Sequence, residues 1–421
     1  MEGNALSGVH GIDNSIDCLF EELELGGGGV ISQRDLNPLQ ILAARSALGG
    51  FGSQVNYHVD ALGIDCILHV CCRTHEDLAR YQCVISAHVA NPQSSARHVH
   101  SKLHQSCKTE AVKLPLVFGH RGACAYRPEN TLEAFDLAFQ MGSDAIECDL
   151  VPTKDGGLII RHESELSGTT DVGSHPEFAA RHRTQLMYGQ WAVTGWFSED
   201  FTLAEIQTLR ATERIPDVRP GSAKFDGKFR IPTVEDLLAA QFADGKTLIL
   251  EIKHGGHFKS LGFDTAAMLA EAVLASDWRA RGIKLVFEGF DYETVKDLKR
   301  SLGHLPDTAF VFLVEGWGMP AAENLDAWLD DVASNVDGIS FDVELLFDKV
   351  VRDATGVQFG QPNDLVAKAH AKGLTVFTWT ARAEDAKYSV EEYYHQFVTL
   401  GTDGVFADHP DLFRDFVDGL A

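Results

Sequence analysis

Two short stretches of this 421-residue chain place charged residues two positions apart, Glu147-Cys148-Asp149 and Glu251-Ile252-Lys253. On a β-strand, residues two apart share a face, so each pair would turn both charges to one side while Cys148 faces the other. Three carboxylates gathered on one face repel each other unless a cation lies among them. All-oxygen donors suit a hard divalent ion, Ca2+ or Mg2+, rather than a thiophilic one. For any single pair a core ion pair is the plainer account, but three carboxylates at equivalent strand ends point to a metal. His120-Arg121-Gly122 follows an apolar run, and Gly122 permits a tight turn there. Arg121 offers a planar fork for two phosphate oxygens, and Lys253 adds a point charge. A lone histidine is more often structural than catalytic, yet His162 makes a second imidazole beside this set. Two histidines can divide the roles of general base and general acid near neutral pH. With a cation and two basic side chains to stabilise charge on phosphorus, this is equipment for cleaving a P–O bond.

These residues need a scaffold that brings strand ends together. From Leu114 onward, short apolar or β-branched runs alternate with amphipathic stretches. The strands expected are Leu116–Gly119, Asp144–Leu150, Thr247–Lys253, Lys284–Phe290, Ala309–Val314, Gly338–Asp342, Thr375–Thr380 and Gly404–Ala407. Eight of them separated by helical segments predict an α/β fold, a (β/α)8 TIM barrel. Leu158–His162, after the turn signal Lys154-Asp155-Gly156-Gly157, reads as a short extra strand in a hairpin. Asn130-Thr131-Leu132-Glu133 supplies an N-cap with Glu three positions on, Leu132, Phe135 and Phe139 form an apolar face, and Gly142 ends that helix. The span at about 165–235, with Trp191, Trp196, Phe197 and Phe201, is too long for one connection and predicts an inserted cap subdomain.

Residues 1–113 read differently, as an N-terminal extension without assignable function. A Gly run at Gly26–Gly29, a short helix around Leu39–Leu48 and a polar, linker-like stretch from His88 to Lys113 are expected, with the barrel at 114–421. Cys18, Cys66, Cys71, Cys72, Cys83 and Cys107 fall here, but their spacing is not that of a paired zinc motif, and a disulfide framework would sit here without an evident export signal. A translation start downstream of Met1 would need a non-Met codon, because the next methionine is Met141. The first thirty residues lack a signal-peptide layout and no apolar run reaches 18 residues, so the chain reads as non-membrane and unexported. A net charge of −25 argues against nucleic-acid or anionic-membrane surfaces, so an anionic substrate must be met by locally clustered positive charge. Oligomeric state leaves no trace in the sequence.

The ordered set Gly119-His120-Arg121-Gly122-Ala123, Arg127-Pro128-Glu129-Asn130-Thr131, Ile146-Glu147-Cys148-Asp149-Leu150, Thr153-Lys154-Asp155-Gly156, Arg161-His162-Glu163, Leu250-Glu251-Ile252-Lys253, Thr378-Trp379-Thr380 and Thr402–Pro410 resembles the glycerophosphodiester phosphodiesterase family. Ser167–Val172 and Thr194–Phe197 are similar to its longer subgroup, which includes bacterial periplasmic enzymes. The resemblance implies a metal-dependent phosphoric diester hydrolase. His120 and His162 would be the acid/base pair, Glu147, Asp149 and Glu251 the metal ligands, and Arg121 and Lys253 the phosphate contacts. Trp379 would pack against glycerol carbons. It also implies attack by the substrate's own glycerol hydroxyl, a cyclic phosphate, and release of glycerol 3-phosphate and an alcohol such as choline or ethanolamine. One departure stands out: Glu288 occupies a position where relatives commonly have Gln, so it is either a further ligand or a partner for Lys253. His254 and His257, just past Lys253, read as exposed loop residues. Two other readings are a lysophospholipase D or phospholipase-like enzyme with an aromatic rim, and a silent phosphodiester-binding barrel.

Overall fold

A computed structural model describes residues 113–420 throughout, together with five strands among the first 112. The chain divides into two compact units, Met1–Val112 and Lys113–Ala421. In the first, β1 (Glu22–Leu25) pairs antiparallel with β2 (Gly29–Ser32). There β3 (Gln54–Ala61), β4 (Ile64–Thr74) and β5 (Tyr81–Val89) form an antiparallel sheet. The helix expected at 39–48 and the side chains of the cysteines and histidines in this unit lie outside the described residues. The stretch expected as a linker begins inside β5, and its remainder up to Val112 also lies outside them.

In the second unit, eight parallel strands close on themselves. They are β6 (Leu116–Gly119), β7 (Ala145–Pro152), β11 (Thr247–Ile252), β12 (Lys284–Gly289), β13 (Thr308–Val314), β14 (Gly338–Asp342), β17 (Thr375–Ala381) and β18 (Gly404–Ala407), with β18 returning to pair with β6. Parallel strands with helices outside are buried on both faces, which is why they read as near-continuous apolar runs. Phe118, Ala145, Ile249, Val311, Phe377 and Phe406 fill the barrel interior. Cys148, Leu248, Leu250, Phe287, Phe310 and Ile339 face outward into the layer under the helices. Each fully buried large side chain contributes about 2 kcal/mol through apolar area removed from water. Among the described residues no helix is long and apolar enough to cross a membrane.

The helix Leu132–Gln140 begins one residue later than the cap reading placed it. Thr131 is the N-cap and its hydroxyl accepts from the Ala134 amide, while Asn130 takes a left-handed conformation (φ 58°) and turns its amide towards Asp149. A side chain that can reach a buried carboxylate gains more there than at a cap that its neighbour can fill. Gly142, at φ 88°, follows the helix as expected.

Short β8 (Leu158–Ile160) runs antiparallel to β7 and leads into the excursion before β11. This excursion carries 3-10 turns at Val172–Ser174 and Pro176–Arg181, the hairpin β9 (Arg183–Met187) and β10 (Trp191–Gly195), and helical turns at Leu203–Ile206 and Pro220–Ala223. Leu166, Val172, Phe178, Phe201, Ile206, Leu209 and Ile231 pack with Val151 and Ile159 into a second small core. A further hairpin, β15 (Val350–Asp353) and β16 (Gly356–Phe359), lies between β14 and β17.

Candidate active site

Strand register arranges the acids. Glu251 on β11 stands level with Asp149 on β7 on one side and with Glu288 on β12 on the other. Three carboxylates thus form a row across adjacent strands, with Glu147 two residues earlier on β7 and Lys253 two residues after Glu251. All five side chains are buried. Ligand oxygens of Glu147, Glu251 and Glu288 lie within 4.8 Å of one another, and each of these residues keeps a buried oxygen without a hydrogen-bond partner. Asp149, expected as the third ligand, likewise keeps a buried oxygen, Oδ1, without a hydrogen-bond partner, and it is drawn to other groups as well. It accepts from Asn130 Nδ2 at 2.7 Å, lies 2.9 Å from Lys253 Nζ and 3.5 Å from Arg121 Nε. Lys253 Nζ also donates to Glu251 Oε2 at 2.6 Å, so the ammonium is shared between Asp149 and Glu251 rather than given to Glu288.

The electrostatics are unbalanced: among the described residues, the four carboxylates Glu147, Asp149, Glu251 and Glu288 have just two ion-pair partners, Arg121 and Lys253. Burial, with Asp149, Glu251 and Glu288 close by, pushes Glu147 well above the usual carboxylate range. Burial and Glu251 do the same to Glu288. Glu251 is pushed up by burial to about 7 despite the pull of Lys253. Burial would also raise Asp149, but Lys253, His162 and Arg121 outweigh it and hold Asp149 well below the usual range. The unpartnered, crowded oxygens of Glu147, Glu251 and Glu288 fit a divalent cation, which would remove the excess negative charge that protonation must otherwise remove.

The backbone leaves β6 through His120 and two residues at positive φ, Arg121 at 54° and Gly122 at 82°. A Cβ on Gly122 would meet the Ala134 backbone at 2.6 Å, so only glycine fits this turn against the following helix. The turn directs the Arg121 amide onto Glu147 Oε2 at 2.8 Å and its guanidinium onto Glu129 at 3.2 Å. His120 Nδ1 meets Asp408 Oδ1 at 2.6 Å just beyond β18. His162 Nδ1 meets Glu163 Oε1 at 2.5 Å. Burial and Arg121 pull His120 down to about 4 against the effect of Asp408. Burial, Arg121 and Lys253 do the same for His162, also to about 4. Both imidazoles are therefore neutral at neutral pH. With Nδ1–H donated to an ionised carboxylate, Nε2 of each is left as a proton acceptor, a tautomer assigned from these contacts.

A cleft opens over this group, and His120, Arg121, Glu147, Glu251, Lys253, Glu288 and Trp379 all line it. Phe290, Leu313, Thr380, Arg382 and Phe406 complete its wall. The Trp379 ring meets Phe290 edge-on at 5.5 Å, and its buried Nε1 has no partner. Asp149 and His162 are not in that lining, though the charges of Arg121, Lys253 and Asp149 act on His162. His254 and His257 are not exposed loop residues: hairpin β9–β10 covers them, with Tyr188 Oη 3.0 Å from His254 Nδ1 and Gln185 Nε2 3.1 Å from His257 Nε2. The sequence pointed to no site role for Glu129, Glu163 or Asp408 and to Asn130 only as a helix cap, although each lies inside a quoted motif. Arg214, Arg219 and Arg382 carried no signal at all.

Comparison with known proteins places these features in context. The glycerophosphoryl diester phosphodiesterase family matches the chain over residues 120–412. The glycerophosphodiester phosphodiesterase GDPD6 of Arabidopsis thaliana is 29% identical over 348 residues, covering 75% of this chain and 87% of that protein. The glycerophosphodiester phosphodiesterase of Haemophilus influenzae is 27% identical, covering 72% of this chain and 90% of that protein. Among solved structures, an Oleispira antarctica phosphodiesterase in complex with its product sn-glycerol-3-phosphate shares the fold, with a TM-score of 0.50 and 22% identity over 72% of this chain and 97% of that one.

Proposed function

Because the chain belongs to the glycerophosphoryl diester phosphodiesterase family, it is a phosphoric diester hydrolase of glycerophosphodiesters, and we propose that it works with one divalent cation and two histidines. The observation that carries the proposal is the buried trio Glu147, Glu251 and Glu288, with unpartnered oxygens, in one cleft with His120, Arg121 and Lys253. Glu147, Glu251 and Glu288 hold the cation, Ca2+ or Mg2+, and Asp149 joins them as far as its bonds to Lys253 and Asn130 allow. Bound there, the cation supplies Lewis-acid neutralisation of a non-bridging phosphate oxygen. Of the two roles the sequence leaves open for Glu288, further ligand or partner of Lys253, this reading takes the first.

The chain's own residues account for the remaining steps. Arg121 and Lys253 bind and orient the phosphodiester, and Trp379 packs against the glycerol carbons. One histidine takes the proton from the substrate's free glycerol hydroxyl as that oxygen forms a bond to phosphorus. The other gives a proton to the departing alkoxide as its P–O bond breaks, leaving a cyclic phosphate. Water then adds to phosphorus and gives a proton to the second histidine, while the first histidine gives its proton to the ring oxygen whose P–O bond opens, so both are restored and one water is consumed per glycerol 3-phosphate formed. The bound anion favours the protonated form of the histidine facing the leaving oxygen, against the burial that strips it in the free enzyme. The catalytic unit is residues 114–421, with 165–235 as its inserted cap and 1–113 as an extension.

The test is release of glycerol 3-phosphate from glycerophosphocholine and glycerophosphoethanolamine by the full chain, with and without Ca2+, Mg2+ or a chelator. Turnover that survives both chelation and His120→Ala would sink the proposal. A second reading, lysophospholipase D activity, has its own support. Leu186, Tyr188 and Trp191 are 55%, 42% and 59% exposed on hairpin β9–β10, and Tyr188 touches the residue after Lys253. That is an apolar rim of the kind an acyl chain would use.

A further inference from the structure

Each catalytic histidine is held by a carboxylate, and each of those carboxylates is held by an arginine from one loop of the insertion. Glu163, partner of His162, receives Arg214 Nη1 on Oε1 at 2.9 Å and Arg214 Nη2 on Oε2 at 2.6 Å. Asp408, partner of His120, receives Arg219 Nη2 on Oδ2 at 2.5 Å, and Arg382 Nε joins at 3.1 Å. Arg214 also clamps Glu129, which faces Arg121, and Arg219 Nε reaches Glu384 at 2.6 Å. The loop is itself tied down: Arg210 bridges to Arg230, the Glu213 amide donates to Asp226 at 2.7 Å, and the Arg127 guanidinium lies 3.8 Å over the Phe225 ring.

We propose that Arg214 and Arg219 are positioning residues of the reaction, one for each histidine, so that a single loop of the insertion sets the orientation and tautomer of both halves of the acid/base pair. The physical reason is geometric. A carboxylate hydrogen-bonded only to imidazole can rotate about its last side-chain bond. When its other lone pairs are fixed by a planar guanidinium, it presents one oxygen in one place. The imidazole Nδ1–H then has a fixed acceptor, and Nε2 is aimed at substrate. Both carboxylates sit well below the usual range, which agrees with their ionised form being the one held. The inference rests on the two-histidine reading given above.

The experiment uses the full chain and two substrates, glycerophosphocholine and the nitrophenyl ester of glycerol 3-phosphate, whose leaving group departs without a proton. Arg214→Met and Arg219→Met are each expected to lower kcat on glycerophosphocholine about 10- to 100-fold, with Arg219→Met leaving KM within about threefold. On the nitrophenyl ester, one of the two variants should recover to within about threefold of wild type, and the other should not; the one that recovers marks the acid histidine. Arg219→Met should add less than about threefold to the loss of His120→Ala, yet its full factor to His162→Ala, and Arg214→Met should do the converse. The inference is overturned if folded Met variants keep kcat within about twofold of wild type. It is equally overturned if their losses multiply in both histidine backgrounds or respond alike to the two substrates. Should a Met variant fail to fold, Arg214→Lys and Arg219→Lys keep the charge and enter the same double-variant comparison. Wild-type turnover in His120→Ala and His162→Ala would overturn the underlying two-histidine reading instead; inactive histidine variants beside unaffected arginine variants would remove this inference alone.

Discussion

Lys253 Nζ lies 2.6 Å from Glu251 Oε2, a pairing between a residue near the end of β11 and the first residue beyond it. The ammonium therefore neutralises a charge of its own row and leaves Glu147 and Glu288 without a cationic partner of this kind. Adding Ca2+ or Mg2+ to chelator-treated protein should raise its melting temperature, by an amount equivalent to about 2.7 kcal/mol when the ion is a hundredfold above its Kd. Glu147→Gln should abolish that gain, and Glu288→Gln should weaken ion binding about tenfold while leaving the fold intact. Calorimetric titration with each ion reads both effects, and unchanged affinity in Glu288→Gln would remove that residue from the ligand set.

His120→Ala and His162→Ala should each lower kcat by about two to four orders of magnitude, since each removes one partner in proton transfer. Neither imidazole is part of the apolar core, so melting temperatures should stay close to wild type. Steady-state kinetics beside thermal melts separate the two effects, and a large fall in melting temperature would assign the residue a structural role.

Asp408 gives a stability prediction with a defined sign. Burial would raise it, but Arg382, His120 and Arg219 outweigh burial and hold it well below the usual range. A carboxylate depressed in this way contributes stability that is fully present above its unfolded value near about 4 and is lost as pH falls through its folded value. Asp408→Asn should cost about 3 kcal/mol at neutral pH, because it leaves buried guanidinium charge uncompensated. The gap in melting temperature should be widest above about pH 5 and should narrow as the medium becomes more acid than about pH 4. A gap independent of pH would contradict the ionised assignment.

The exposed hairpin can be tested without touching the acid cluster. Leu186→Ser and Trp191→Ser should leave melting within about 2 °C of wild type, because exposed side chains contribute little to stability. If the rim receives an acyl chain, turnover of lysophosphatidylcholine should fall about tenfold while glycerophosphocholine turnover is unaffected. Equal loss on both substrates, or on neither, would dismiss the lipid reading.

Much of the barrel was legible because parallel strands buried on both faces leave apolar runs, as at Leu248–Leu250 and Val311–Val314, and these are bounded by turn residues. The placement of Glu147, Glu251 and Lys253 followed from the two-residue period alone. Asp149 shows where that period stops being informative. It fixes which side the carboxylate faces, but not that Asn130, nineteen residues earlier, would reach across to hold it. Asn130 itself was misleading, because the local signature of a helix cap is available to either of two adjacent residues. Arg214 and Arg219 were invisible for a simpler reason: their partners lie 51 and 189 residues away, and a lone arginine in an irregular segment has no periodicity to betray it.

The separation of His120 from Asp408 has a consequence for biosynthesis. The two are 288 positions apart, one just after the first barrel strand and the other just after the last. A ribosome delivers His120 early and Asp408 late, so the imidazole has no orienting partner until the final strand has docked against the first. Long-range closure of this sort is slow compared with local helix formation. The nascent chain should therefore complete most of its αβ layers while still chemically inert, and acquire hydrolytic competence in one late event. A time course of refolding should show far-UV ellipticity returning ahead of enzymatic turnover.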